Sequence, residues 1–145
     1  MLTPEIMANN QTSWLDLLLD IDQDPDNDVW TEWKSFMRNL LQTGIDDGWS
    51  KYFRAGRAMN EIIFSTYEQH RLERNGPYVF VARANREYFV AYAHLTGYLP
   101  AVKPERMDIV TSANVLAVLH TYLVRLWMET RPTEEMPQLN TARSW

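Results

Sequence analysis

Tyr78-Val-Phe-Val-Ala-Arg-Ala-Asn-Arg-Glu-Tyr-Phe-Val-Ala-Tyr92 is the stretch on which the fold turns. Two runs of aromatic and β-branched residues, 78–82 and 88–92, flank the polar spacer Arg83-Ala-Asn85-Arg86-Glu87. Such side chains fit a pleated, half-buried surface, and a spacer of this size is an ordinary hairpin loop. Phe80, Ala84, Tyr88, Tyr92 and Leu95 also recur at nearly helical spacing, so a helix is the rival reading. The turn signal Asn75-Gly-Pro77 and the branched residues favour strands. Met59-Asn-Glu-Ile-Ile-Phe-Ser-Thr-Tyr67 has the same character, and three such runs predict an antiparallel meander.

Upstream of the meander the period changes. Ser13 is the expected N-cap of a short helix carrying Trp14, Leu15, Leu17, Leu18, Leu19 and Ile21, with Asp16 placed for a capping box. Asp24-Pro-Asp-Asn-Asp28 is turn chemistry, because proline fixes φ and Asp or Asn side chains bond nearby amides. Asp28 is then read as the cap of a second helix, in which Val29, Trp33, Phe36, Met37, Leu40 and Leu41 recur at spacings of three and four. Gly44 is read as its stop.

Downstream, Gly97 to Pro104 is a connector with two prolines. Thr111, Ser112 or Asn114 opens a last helix whose stripe is Val115, Val118, Leu119, Tyr122, Leu123, Leu126 and Trp127, ending near Thr130. The expected fold is α+β: two N-terminal helices, a small antiparallel sheet of about three strands, and a long C-terminal helix packed on it. The 145 residues make a single domain. Residues 1–11 and 132–145 are expected to be loose.

Composition narrows the function classes. The chain is 46% hydrophobic, so it can bury a core. Its longest unbroken apolar run, Tyr88–Ala93, is far too short to span a membrane. No secretory leader is evident, and the lack of cysteine excludes disulfides and thiol chemistry while suiting the cytoplasm. The net charge of −5 hides a division: residues 1–50 carry ten acids and two bases, residues 51–145 nine acids and twelve bases. Asp16, Asp20, Asp22, Asp24, Asp26 and Asp28 fall within thirteen residues, and seven bases lie between Lys51 and Arg86. Either the two halves attract each other across the fold, or they stay solvated, or the acids face a basic partner.

Motifs for catalysis are sparse. From Asp22 an EF-hand register places Asn27 where glycine is needed and Trp33 where the bidentate glutamate belongs; the register from Asp20 fits no better. His70, His94 and His120 lack metal-ligand spacing, and no phosphate-binding glycine loop is present. No cofactor or metal is therefore expected. Lys51-Tyr-Phe-Arg54-Ala-Gly-Arg57 has the composition of a small single-strand platform. The acidic balance argues against nucleic acid as the partner.

Six tryptophans are heavy for core packing alone, and tryptophan is enriched at binding hot spots. Trp14, Trp33 and Trp127 fit helix core faces. Trp30 and Trp49 stand beside acidic turns, where contact surface and local packing are equally good readings. The expected function is a non-enzymatic acidic module that binds a basic protein, an inhibitor or immunity-type protein of bacterial or phage style. Its contact residues would be Asp20, Asp22, Asp24, Asp26, Asp28, Trp30, Asp46, Asp47 and Trp49. Rivals are a small enzyme with His70 or His94 beside Glu or Arg in a cleft, and a nucleic-acid subunit using Lys51, Arg54, Arg57, Arg83 and Arg86. The tryptophans would equally suit a homodimer.

Overall fold

A computed structural model describes residues 2–24, 30–58, 61–66, 76–94, 104–131 and 134. Helix α1 spans Pro4–Asp22. Thr3 caps it, its hydroxyl accepting the Ile6 amide at 3.2 Å, and proline at the first helical position needs no amide partner. The helix thus starts at Pro4 rather than at Ser13, and residues 4–11 belong to its first turns instead of a loose arm. Trp14, Leu17 and Ile21 form its buried stripe. Helix α2, Thr31–Asp46, buries Trp33, Phe36, Met37, Leu40 and Leu41, as their spacing predicts. Trp30 occupies its N-cap position; Asp28, the expected cap, lies outside the described residues.

Gly44 does not stop α2. It sits inside the helix against the Trp14 ring, where a Cβ would come within 2.6 Å of Cη2 and closer still to Cζ3. The glycine is a notch that lets α1 and α2 approach, and the chain turns later, at Gly48, whose φ of +86° is left-handed.

Among the described residues, a 3-10 turn, Trp49–Lys51, leads into five strands: β1 Arg54–Ala58, β2 Glu61–Ser65, β3 Pro77–Ala84, β4 Glu87–His94 and β5 Pro104–Val110. They pair in sequence order, each antiparallel to the next. The meander expected from three runs therefore has five strands. The two additional ones, Arg-Ala-Gly-Arg-Ala and Pro-Glu-Arg-Met-Asp-Ile-Val, are the edges, and edge strands carry the charge and proline that central strands exclude. The stretch 78–92 is a hairpin, not a helix: β3 and β4 pair from Pro77↔His94 to Ala84↔Glu87. Asn85 and Arg86 close it with φ values of 52° and 67°, the paired positive angles of a two-residue turn that matches strand twist.

Helix α3, Val115–Thr130, is the last described element and lies where its stripe predicts. All three helices pack on one face of the sheet, where Ile62, Phe64, Val79, Val81, Tyr88, Val90 and Tyr92 meet their buried stripes in one cluster. The opposite face gathers Tyr78, Phe80, Ala91 and Ala93 with Ile63 and Ala82. Among the described residues, no helix is long and apolar enough to cross a membrane.

Candidate functional site

Helix α1 docks on the β1 edge through polar side chains. Asn10 Nδ2 donates to the Lys51 carbonyl at 3.0 Å, and Trp14 Nε1 donates to the Phe53 carbonyl at 2.7 Å. The Ser13 hydroxyl accepts the Ala55 amide at 3.0 Å while donating to the Asn10 carbonyl at 2.6 Å. Ser13 thus satisfies a backbone donor of the outermost strand. Above this seam runs a groove of about 530 Å³, with Asn9, Thr12, Asp16 and Asp20 of α1 on one side and Arg54, Gly56 and Arg57 of β1 on the other.

At the end of the groove the acidic and basic halves meet. Arg57 donates to Asp24 Oδ2 at 2.7 Å and to Asp20 Oδ2 at 3.3 Å, and its guanidinium lies 5.4 Å over the Trp30 ring. Trp30 Nε1 donates to Asp24 at 3.1 Å, and Lys34 Nζ donates to the Asp24 carbonyl at 2.9 Å. The Arg57 hydrogen bond holds the Asp24 carboxyl below its ordinary value against an opposing push from burial, and the same bond raises Arg57. Asp22 pairs with Arg38 of α2. Asp20, Asp22 and Asp24 therefore each have an arginine partner inside the molecule.

The other expected contact residues are dispersed. Trp30 is half-buried in the Arg57 cluster. Asp46 is exposed and accepts from Gln42 at 3.0 Å, one helical turn away. Asp47 is half-buried at the C-cap of α2. Trp49 is 1% exposed in the core, the packing alternative for that ring. Asp26 and Asp28 lie outside the described residues.

What residue-type reasoning missed is the outer face of α1. Leu15 and Leu19 are 52% and 62% exposed, one turn apart, with Asp16, Asp20 and Asp22 exposed around them. Helix α1 has no basic residue. The signal was present in the spacing: Trp14, Leu17 and Ile21 define the buried stripe, and Leu15 and Leu19 fall about 130° and about 170° from its centre.

The bases do not gather into one platform. Arg54 is buried, Arg57 is clamped by the aspartates, and Arg83 pairs with Glu32 at 2.8 Å. Arg86 stands in the β3–β4 turn. His94 Nδ1 is 3.0 Å from Glu105 Oε2, and its Nε2 is 3.1 Å from Glu129 Oε1. Arg125 pairs with Glu105 and stacks 4.0 Å over Tyr92, whose hydroxyl donates to Glu129. Burial, with the Glu129 hydrogen bond, pushes that hydroxyl far above its ordinary value. Both His94 ring nitrogens thus already face protein carboxylates, and the cluster ties β4, β5 and α3 together. His120 is half-buried on α3, where burial lowers its pKa, and His70 lies outside the described residues. Among the described residues no group of three or more histidines and acids could hold a metal ion. No protein-family model matches the chain, and no curated protein or solved structure is significantly similar to it.

Proposed function

We propose that the chain is a non-enzymatic protein-binding module, of inhibitor or immunity type, that docks a basic protein on the outer face of α1. The observation that carries this reading is the exposure of Leu15 and Leu19 on a helix whose charged residues are all acidic. Apolar anchors rimmed by one sign of charge are how a binding face combines affinity with selectivity. Asp16, Asp20 and Asp22 would steer a basic surface toward the helix, and burial of the two leucines would slow its departure. Arg57 and Arg38 temper this field at Asp20 and Asp22. The cysteine-free composition suits a reducing compartment, in keeping with action in a bacterial or phage-infected cytoplasm.

The enzyme reading draws less support, because His94 is committed on both nitrogens. The nucleic-acid reading suffers from the internal pairing of Arg57 and Arg83.

The test is a comparative pull-down from lysate of the source organism with the wild-type chain, L15A/L19A and D16N/D22N. A single stoichiometric basic protein, bound at least about tenfold more weakly by L15A/L19A, is the expected result. With the partner in hand, D16N/D22N should slow association and flatten its dependence on salt. Retention of the same protein by L15A/L19A would contradict the proposed face.

A further inference from the structure

The two edges of the sheet are treated differently. At β1, Ser13 of α1 takes the Ala55 amide. At β5, among the described residues, no hydrogen bond other than the β4 ladder reaches the backbone. Strand β5 also exposes Met107 and Ile109, 48% and 61% accessible, on the face of the sheet opposite the helices. An edge of this kind is a template for another strand.

We infer that β5 pairs with β5 of a second copy of this chain, antiparallel and centred on Met107, joining two sheets into one of ten strands. The sequence of β5 selects that register. Centring on Met107 sets Arg106 opposite Asp108 of the other copy, and Asp108 opposite the other Arg106. Centring on Arg106 would oppose two arginines, and centring on Asp108 two aspartates. Either half-step centre would set Met107 opposite a charged residue of the helix-side face, pairing residues that point to opposite faces of the sheet. Opposite charges directly across a ladder stabilise it, and like charges destabilise it. The chosen centre also brings the two Met107 side chains together on the outer face, each near the other copy's Ile109. On the helix side, Arg106 Nε lies 3.6 Å from Asp108 Oδ2. The Tyr122 hydroxyl donates to that same oxygen, and the Arg106 guanidinium lies 5.7 Å over the Tyr122 ring, so pairing with the other copy falls to Asp108 Oδ1 and the outer guanidinium nitrogens.

Glu105 stays out of this pairing. The β4–β5 register runs Tyr92↔Arg106 and then Ala93↔Pro104, leaving Glu105 as the extra residue of a bulge. The bulge turns Glu105 to His94 and Arg125. That ends the regular edge before its acid can meet another strand.

This surface is separate from the outer face of α1, so the two proposals stand or fall independently. The chain has no cysteine, which makes single-thiol cross-linking clean. Across the two-fold axis, the two residues at 107 would have Cα atoms about 4.5 to 5.5 Å apart, within disulfide reach. Residues at 109 would be offset by about 13 Å along the strands. M107C should therefore form an interchain disulfide under mild oxidation, and I109C should not. Sedimentation from about 10 μM to about 1 mM should show a monomer–dimer equilibrium. R106D should weaken it about tenfold or more, and R106D/D108R should restore it. Far-ultraviolet dichroism and the melting temperature check that each variant is folded. A monomer at every concentration would leave this edge to another protein's strand or to solvent and overturn the proposal. Equal cross-linking by M107C and I109C, or a double variant no better than R106D, would overturn the register.

Discussion

The outermost strands, β1 and β5, face the same physical problem and meet it in opposite ways. Each presents a row of backbone donors and acceptors with no further strand beside it among the described residues. At β1, α1 covers the edge: Ser13 takes the Ala55 amide, Trp14 and Asn10 bond the segment leading into the strand, and Arg57 reaches back to Asp20 and Asp24. At β5, the side chains of Arg106, Met107 and Ile109 stand in solvent, and Asp108 is half-buried beside Tyr122. The difference teaches where damage should register. Changes at the closed edge should cost folding free energy; changes at the open edge should cost association and little else.

The largest effect is expected at Gly44. Its Cβ-less backbone admits the Trp14 ring, and that ring cannot swing away without losing the hydrogen bond to the Phe53 carbonyl. Gly44→Ala should destabilise the fold by about 2 kcal/mol, even though alanine is preferred in a helix by about 1 kcal/mol. A chemical-denaturation midpoint equal to that of the wild type would break the account of how α1 is seated.

Ser13→Ala should come next, at about 1 kcal/mol, because it leaves the buried Ala55 amide without its acceptor. The same variant sharpens the contrast of edges. Amide exchange at Ala55 should speed up while exchange in β4 and β5 stays as it was.

The smallest effect is expected at Asp24 and depends on pH. The Arg57 hydrogen bond lowers this carboxyl in the folded state, so the unfolded chain holds the proton more tightly. The stabilisation is fully present above the ordinary aspartate value of about 3.9 and is lost as pH falls through the lower folded value. Both partners are partly exposed, so the pair is worth about 1 kcal/mol or less. Denaturation of the wild type and Asp24→Asn at pH 7 and at successively lower pH should show a gap that closes only on the acid side. A gap that widened with acid would contradict the assigned cause.

The same contrast explains how much could be read from the sequence. Elements that bury a face announce themselves: the α3 stripe from Val115 to Trp127, the α2 stripe around Phe36 and Leu40, and the 78–92 hairpin all followed their periods. The edges did not, because an edge strand is half solvated and carries Arg, Glu, Asp and Pro where β signals are sought. Gly44 looked like a stop because a packing notch and a helix terminator are the same residue until the neighbour is known. The start of α1 was legible in Thr3-Pro4, a cap followed by proline, but the apolar period begins only later in the helix. Of the site, the acids were legible. That Arg57 and Arg38 would answer three of them, and that Leu15 and Leu19 would face outward between them, needed the geometry of α1 against β1 and α2.

The contrast between edges is tested most directly by amide hydrogen exchange of the wild-type chain across a concentration series. β1 should be protected equally at every concentration, because its own helix closes it. The outward-facing amides of β5 should gain protection as concentration rises, because a second copy closes them. Concentration-independent protection along β5, or protection of β1 that grows with concentration, would contradict the account.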